Sequence, residues 1–157
     1  MAAIDAAASP GTSGVAGTFG GDGDTVAVLG AGGPMGFSVA RDLARAGVAV
    51  RAWDGMPRAA EPLANDGAFV AASAAEAARG AGIVLTTLPE VDAVLTVMQD
   101  GVLDAMRGAG HEEHAIWLQM GAIGEAATQR CIRLAGRYGV GFVDAPLLGA
   151  GQDGAAS

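Results

Sequence analysis

No lysine occurs in this chain of 157 residues; its nine cations are all arginine, and 17 acidic residues leave a formal net charge of −8. A protein this acidic, with no run of basic residues in the sequence, repels a phosphate backbone, which argues against nucleic acid as a partner. Cysteine occurs once, as Cys131, so no internal disulfide can form and a cytoplasmic location is expected. Aromatic residues make up only 4% of the chain, and the hydrophobic share of 51% is inflated by alanine, so a core has to be packed from small and aliphatic side chains. There is no run of about 18 apolar residues free of charge, so no membrane span is expected. The two histidines, His111 and His114, fall within GHEEH; a metal site needs ligands beyond this pair, and the segment reads as a solvated loop before a strand.

What the chain does have is a rhythm of short apolar runs, glycine and helix-like segments. Residues 1–24 mix alanine, glycine, serine and proline with little to bury, and read as a disordered leader without the basic start of a secretory signal. Residues 25–148 form the expected domain, and residues 149–157 a flexible tail.

The most informative stretch is VAVLGAGGPMG, from Val26 to Gly36, in which an apolar run of strand length ends in glycines and then turns helix-like. Gly30 lets the chain turn tightly off a strand, Gly32 lets bare backbone approach a pyrophosphate, and a later glycine lets helix and strand pack closely. Pro34 suits the first position of a helix, whose free N–H groups attract phosphate. In a strict G-x-G-x-x-G the third glycine would stand at Met35 but arrives at Gly36, so the turn carries one extra residue. Helical spacing of Val39, Ala40, Leu43 and Ala44 follows, and then a second strand, VAVRAW. That strand ends at Asp54, near the roughly 20 residues that separate such a turn from the acid binding an adenosine ribose. An acid there favours NAD over NADP, and Arg58, read as a solvated position in a first helical turn, is the only nearby cation for a 2′-phosphate.

Further along, residues 68–71 read as a short strand and 74–79 as a short helix. GIVLTTL, residues 82–88, reads as a buried strand ending at Pro89. Residues 90–107 are helical with a break at Gly101, residues 115–120 a strand, residues 125–138 a helix and residues 141–144 a closing strand. Cys131 lies on the helix stripe of Ala127, Leu134 and Tyr138, which gives it a buried structural role. Alternation of this kind predicts an α/β, Rossmann-like, doubly wound and mainly parallel sheet with ligands beyond the carboxyl ends of its strands. Asp144, at one such end, reads as a carboxylate that accepts backbone N–H groups in a turn.

Five segments, VAVLGAGGPMG, AWDGMP, LTTLPEVDAV, WLQMGAIGE and FVDAPLLGA, resemble in order and spacing the cofactor half of the β-hydroxyacid dehydrogenase family, which includes 3-hydroxyisobutyrate dehydrogenase and relatives of 6-phosphogluconate dehydrogenase. The resemblance runs from about Thr25 to Ala150. It implies that Gly30, Gly32, Met35 and Gly36 line the cofactor pyrophosphate, Asp54 the adenosine ribose, and Leu88 and Pro89 the nicotinamide side, with Gly33, Pro34 and Ala122 as further cofactor-binding residues. It also places Leu148 and Gly149 in the substrate motif. The chain departs from the family in two places: Gly121 and Ala122 stand for a Ser-Thr pair, and Leu148 stands where a substrate-binding serine is expected, which removes a hydrogen bond.

Family members go on into a helical second domain that supplies a catalytic lysine, and this chain holds neither. The resemblance therefore implies a nicotinamide dinucleotide as ligand, no catalytic residue of its own, and a small hydroxy acid or carbonyl substrate only where a second domain or chain completes the site. It also leaves an uncovered face near the last strand, open to self-association or to a partner with the missing half. Two other classes fit the same residues: a non-catalytic nucleotide-sensing or interaction module, and a methyltransferase-type domain binding S-adenosylmethionine.

Overall fold

The strands are short, mainly apolar runs bounded by turn residues, and among the described residues each but the last is followed by a helix. The computed structural model, which describes residues 24–107 and 114–147, assembles these units into one sheet. In chain order the elements are β1 (Val26–Leu29), α1 (Pro34–Arg45), β2 (Val50–Trp53), α2 (Pro57–Ala60) with a 3-10 turn over Glu61–Asp66, β3 (Phe69–Val70) and α3 (Ala74–Ala78). There follow β4 (Ile83–Thr86), α4 (Val91–Val97), a wide turn over Met98–Val102, α5 (Leu103–Arg107), β5 (Ile116–Gln119), α6 (Glu125–Tyr138) and β6 (Gly141–Asp144).

The six strands lie in the order β3-β2-β1-β4-β5-β6, and every neighbouring pair is parallel. β1 is central, with Val28 opposite Ala52 on one side and Leu85 on the other, and all four of its residues are buried. A strand buried on both faces needs no polar alternation, which is why VAVL reads as a continuous apolar run.

Side chains alternate between two cores. Val28, Ala52 and Leu85 pack with Ala40 of α1 and Leu63 on one face. Leu29, Val84 and Trp117 pack with Met98, Met106, Cys131 and Leu134 on the other. The scarcity of aromatics leaves one ring pair in the sheet, Trp117 against Phe142, edge to face with centroids 5.0 Å apart.

The expected helix over 90–107 breaks at the expected place: Asp100 (φ −85°, ψ 56°) and Gly101 (φ +90°) leave helical geometry between α4 and α5. Helix 125–138 and strand 141–144 have the expected bounds. α1 starts at Pro34, five residues before its apolar spacing becomes readable, because the glycine-rich first turn hides the period. Strands are shorter than expected: β2 begins at Val50, β3 holds only Phe69 and Val70, and Thr87 and Leu88 have left β4. The expected leader and tail, apart from Asp24, lie outside the described residues, as do His111, Leu148 and Gly149. Among the described residues, no helix is long and apolar enough to cross a membrane.

Candidate dinucleotide site

β1 and β4 are adjacent in the sheet, and the chain leaves them in opposite lateral directions, which opens a crevice at their carboxyl ends. Backbone hydrogen bonds fix the turn there. Gly30 leaves β1 with φ +95°. The N–H groups of Gly30 and Ala31 donate to the Trp53 carbonyl at 2.9 and 3.0 Å, and the Gly33 N–H donates to the Gly30 carbonyl at 3.1 Å. The Gly32 N–H donates to Oδ2 of Asp54 at 2.8 Å, and Oδ1 of the same carboxylate accepts from the Met56 N–H at 2.9 Å. Four consecutive N–H groups are thereby used within the protein, and Pro34 has none.

The donors left over belong to α1. Among the described residues the N–H groups of Met35 and Gly36 meet no acceptor, and the first turn of this 12-residue helix carries no acid. A helix start of this kind holds an anion through backbone donors and the positive end of the helix dipole. Met35 adds its N–H here, while its side chain packs into the core beside Val28 and Ala40.

Glycine is required where the walls close in. A Cβ on Gly32 would lie 2.4 Å from Ala59 Cβ and 2.8 Å from the Asp54 carboxylate. One on Gly36 would lie 2.2 Å from the Gly30 carbonyl oxygen and 2.5 Å from Thr87 Oγ1. Gly36 is therefore the glycine that lets helix and strand approach, in agreement with a turn one residue longer than the strict pattern.

Thr87 was not among the residues read from the sequence. Its Oγ1 lies 3.1 Å from both the Leu29 and Gly30 carbonyl oxygens and donates to them, clipping the end of β4 to the glycine turn. Nothing in LTTL distinguishes this threonine from Thr86, whose hydroxyl instead accepts from Trp117 Nε1 at 2.8 Å and donates to Gln119 Oε1 inside the sheet. Leu88, half-buried, spans two loops: its N–H lies 3.2 Å from where a Gly30 Cβ would sit, and its carbonyl oxygen 3.0 Å from a Gly121 Cβ. Pro89 is exposed beside it.

Two concavities flank this centre. One, of about 350 Å³, lies at the ends of β5 and β6 and is lined by Ala122, Ile123, Thr128, Asp144 and Pro146. Asp144 faces that space, and its carboxylate meets no backbone N–H among the described residues, contrary to the turn role expected of it. The other, of about 190 Å³, is lined by Trp53 at the end of β2 and by Ser73, Ala74, Val97 and Asp100. Sequence reading missed it, although the S-x-x-E signature at its rim was legible: Ser73 Oγ accepts from the Glu76 N–H at 3.0 Å, and Glu76 Oε2 accepts from the Ala72 N–H at 2.6 Å. Arg58 is exposed in α2 with no ion pair among the described residues, and His114 is exposed before β5.

A parallel sheet in this order, a glycine turn into a helix, and an acid after the second strand define a Rossmann domain of the dinucleotide-binding type. The chain belongs to the family described as the NAD binding domain of 6-phosphogluconate dehydrogenase, whose model matches residues 25–157. It is 35% identical over 133 residues to a probable 3-hydroxyisobutyrate dehydrogenase of Mycobacterium tuberculosis, covering 85% of this chain and 42% of that protein. It is 30% identical over 119 residues to the 2-(hydroxymethyl)glutarate dehydrogenase of Eubacterium barkeri, covering 74% of this chain and 38% of that one.

Among solved structures, the Mycobacterium tuberculosis 3-hydroxyisobutyrate dehydrogenase with L-serine superposes with a TM-score of 0.72 at 34% identity, over 81% of this chain and 41% of that one. An imine reductase from Myxococcus stipitatus in complex with NADP+ shares the fold, with a TM-score of 0.71 at 22% identity over 80% of this chain and 41% of its own. The chain thus spans about two fifths of the length of these relatives.

Proposed function

We propose that this chain binds NAD across the carboxyl ends of β1, β2 and β4 and serves as the cofactor half of an oxidoreductase acting on a small hydroxy acid or its carbonyl counterpart. The observation that carries the reading is the Asp54 carboxylate, held by the Gly32 and Met56 N–H groups. A carboxylate offers about four lone-pair sites, so two stay available for ribose hydroxyls. Its charge repels a 2′-phosphate, and Arg58, four residues on, is exposed with no ion pair among the described residues, which supports NAD over NADP.

In this reading the Met35 and Gly36 N–H groups take the pyrophosphate, Gly30, Gly32 and Gly33 let it approach, and Pro34 starts the helix without wasting a donor. Leu88, Pro89 and Ala122 form the nicotinamide side, and the family resemblance assigns Leu148 and Gly149, outside the described residues, to the substrate motif. The cofactor, when bound, supplies hydride transfer at its nicotinamide ring. The chain's own residues orient it and exclude water. A proton must also move when an alcohol becomes a carbonyl, and the family resemblance assigns that task to a lysine, which this sequence lacks. In this reading turnover depends on such a lysine being brought to the site by a second domain or chain. Residues 25–148 are the functional unit, and a cytoplasmic location agrees with a single, buried cysteine.

A second reading that rests on the same nucleotide site is a nucleotide-sensing module in which bound NAD alters an interface. The discriminating experiment is a fluorescence titration with NADH and NADPH, with S-adenosylmethionine as competitor, followed by an assay for hydride transfer to small 2-oxo and 3-oxo acids. The dehydrogenase reading expects NADH to bind at least tenfold more tightly than NADPH, no displacement by S-adenosylmethionine, and hydride transfer only when a lysine-bearing second half is added. Binding without hydride transfer even then would favour the sensing module, and equal affinity for NADH and NADPH would remove Asp54 from its assigned role.

A further inference from the structure

On the face of the sheet covered by α4 and α6, a groove of about 410 Å³ runs between the two helices. None of its lining residues belongs to the glycine turn, to Asp54 or to the Leu88–Pro89 loop. Its floor is apolar, made by Leu95 and Leu134, both buried. One wall is a row of three arginines on α6, Arg130, Arg133 and Arg137, at intervals of three and four residues that put them on one helix face. The opposite wall, from α4 and the wide turn after it, presents Asp92, Thr96 and Gln99.

The charge balance is unusual for this molecule. With a net charge of −8 and nine arginines in all, the chain places three of them in one groove. They are interspersed among other residues in the sequence and form no basic run; the helix brings them together. Asp92 pairs with Arg130 at 3.7 Å. Arg133 and Arg137 have no acidic partner among the described residues, and both are exposed. The groove therefore keeps an excess of two positive charges over a protein that is otherwise acidic.

Two guanidinium groups one helical turn apart, each able to grip an oxyanion through two parallel N–H bonds, match a molecule with two anionic groups a few ångströms apart. The Thr96 hydroxyl and Gln99 amide across the groove add neutral donors. The volume suits a small ligand. We propose that the groove between α4 and α6 is a second binding site, separate from the dinucleotide crevice, for a small multivalent oxyanion such as a diphosphate or a di- or tricarboxylate.

Inorganic pyrophosphate is the probe, titrated calorimetrically at fixed ionic strength into the wild-type chain, the double variant Arg133→Gln/Arg137→Gln, and a control, Arg58→Gln/Arg79→Gln, that removes the same charge from exposed positions elsewhere. Thermal melts establish that each is folded, and the single variant Arg137→Gln stands in if the double variant is not. The site predicts saturable binding to the wild type, at least a tenfold loss in the groove variant (about threefold for Arg137→Gln alone), and less than a twofold change in the control. No binding to the wild type, an equal loss in groove and control variants, or binding indifferent to the groove variant would each overturn the proposal. None of these results bears on NADH binding at the glycine turn, which is titrated separately, so failure of this site is distinguishable from failure of the dinucleotide site.

Discussion

The Gly32 N–H and the Asp54 carboxylate meet at 2.8 Å across 22 residues of chain, joining the turn after β1 to the end of β2. The other carboxylate oxygen takes the Met56 N–H at 2.9 Å, so one side chain fixes two loops. Hydrogen bonds to a charged group are worth more than neutral ones, and losing both leaves two N–H groups to find water. Asp54→Ala should lower stability by about 1–2 kcal/mol. Asp54→Asn, which keeps one acceptor oxygen, should lose less. Urea denaturation of the three proteins measures this, and equal midpoints would mean that the carboxylate does not hold the turn.

A pair of glycine substitutions separates close approach from helix propensity. A Cβ on Gly36 would meet the Gly30 carbonyl oxygen at 2.2 Å, backbone that cannot move without shifting the turn, whereas one on Gly136, in α6, meets nothing within 4 Å. Gly36→Ala should destabilise by about 2–3 kcal/mol through overpacking. Gly136→Ala should stabilise by about 0.5–1 kcal/mol, the usual helix preference for alanine. Thermal or chemical denaturation of both variants would show opposite signs.

Inside the sheet, Thr86 accepts from Trp117 Nε1 and donates to Gln119, whose amide nitrogen donates to the Gly121 carbonyl at 3.1 Å. All three side chains are buried. Thr86→Val keeps the shape but strands an indole N–H and an amide oxygen, and should cost about 2–3 kcal/mol. Adding Trp117→Phe removes one stranded group, so the double variant should be more stable than the sum of the single losses implies. Strict additivity would show that the network is not coupled.

Burial raises the Cys131 thiol above its ordinary pKa of 9.0, with Arg130 pulling it down and Asp144 pushing it up as smaller influences. A thiol that ionises later in the folded chain than in the unfolded one favours folding below about pH 9. That contribution is lost as the pH rises from there through the folded-state value. Native protein at pH 8 should therefore react with a thiol reagent far more slowly than urea-unfolded protein, and stability should fall as pH is raised above 9. Equal labelling rates in the two states would contradict this burial.

The centre of the sheet was legible in the sequence because β1 and most of β4 are buried and appear as aliphatic runs beside glycines, whereas the more exposed β3 and β6 carry no such run. Asp54 and the glycine turn were legible for the same reason, since backbone approach and a ribose acid leave residue-type signatures at a fixed spacing. Thr87 was hidden because its hydroxyl acts through a contact 57 residues away, and a threonine beside another threonine carries no positional mark. The pocket beside Trp53 was hidden because it is assembled from β2, the loop before α3 and the kink at Asp100, three segments whose proximity only the crossover connection creates. The arginine row on α6 was in plain sight as spacing, but its meaning depends on α4 packing alongside to form a groove.

In the proposed function, backbone donors at the start of α1 and the Asp54 carboxylate together hold NAD. Calorimetric titration of NADH into the wild-type chain and into Asp54→Ala, both verified as folded, tests it most directly. Saturable binding at one site per chain, weakened at least tenfold by the substitution, is the expected result. Undetectable binding to the folded wild-type chain, or equal affinity in the two proteins, would contradict it.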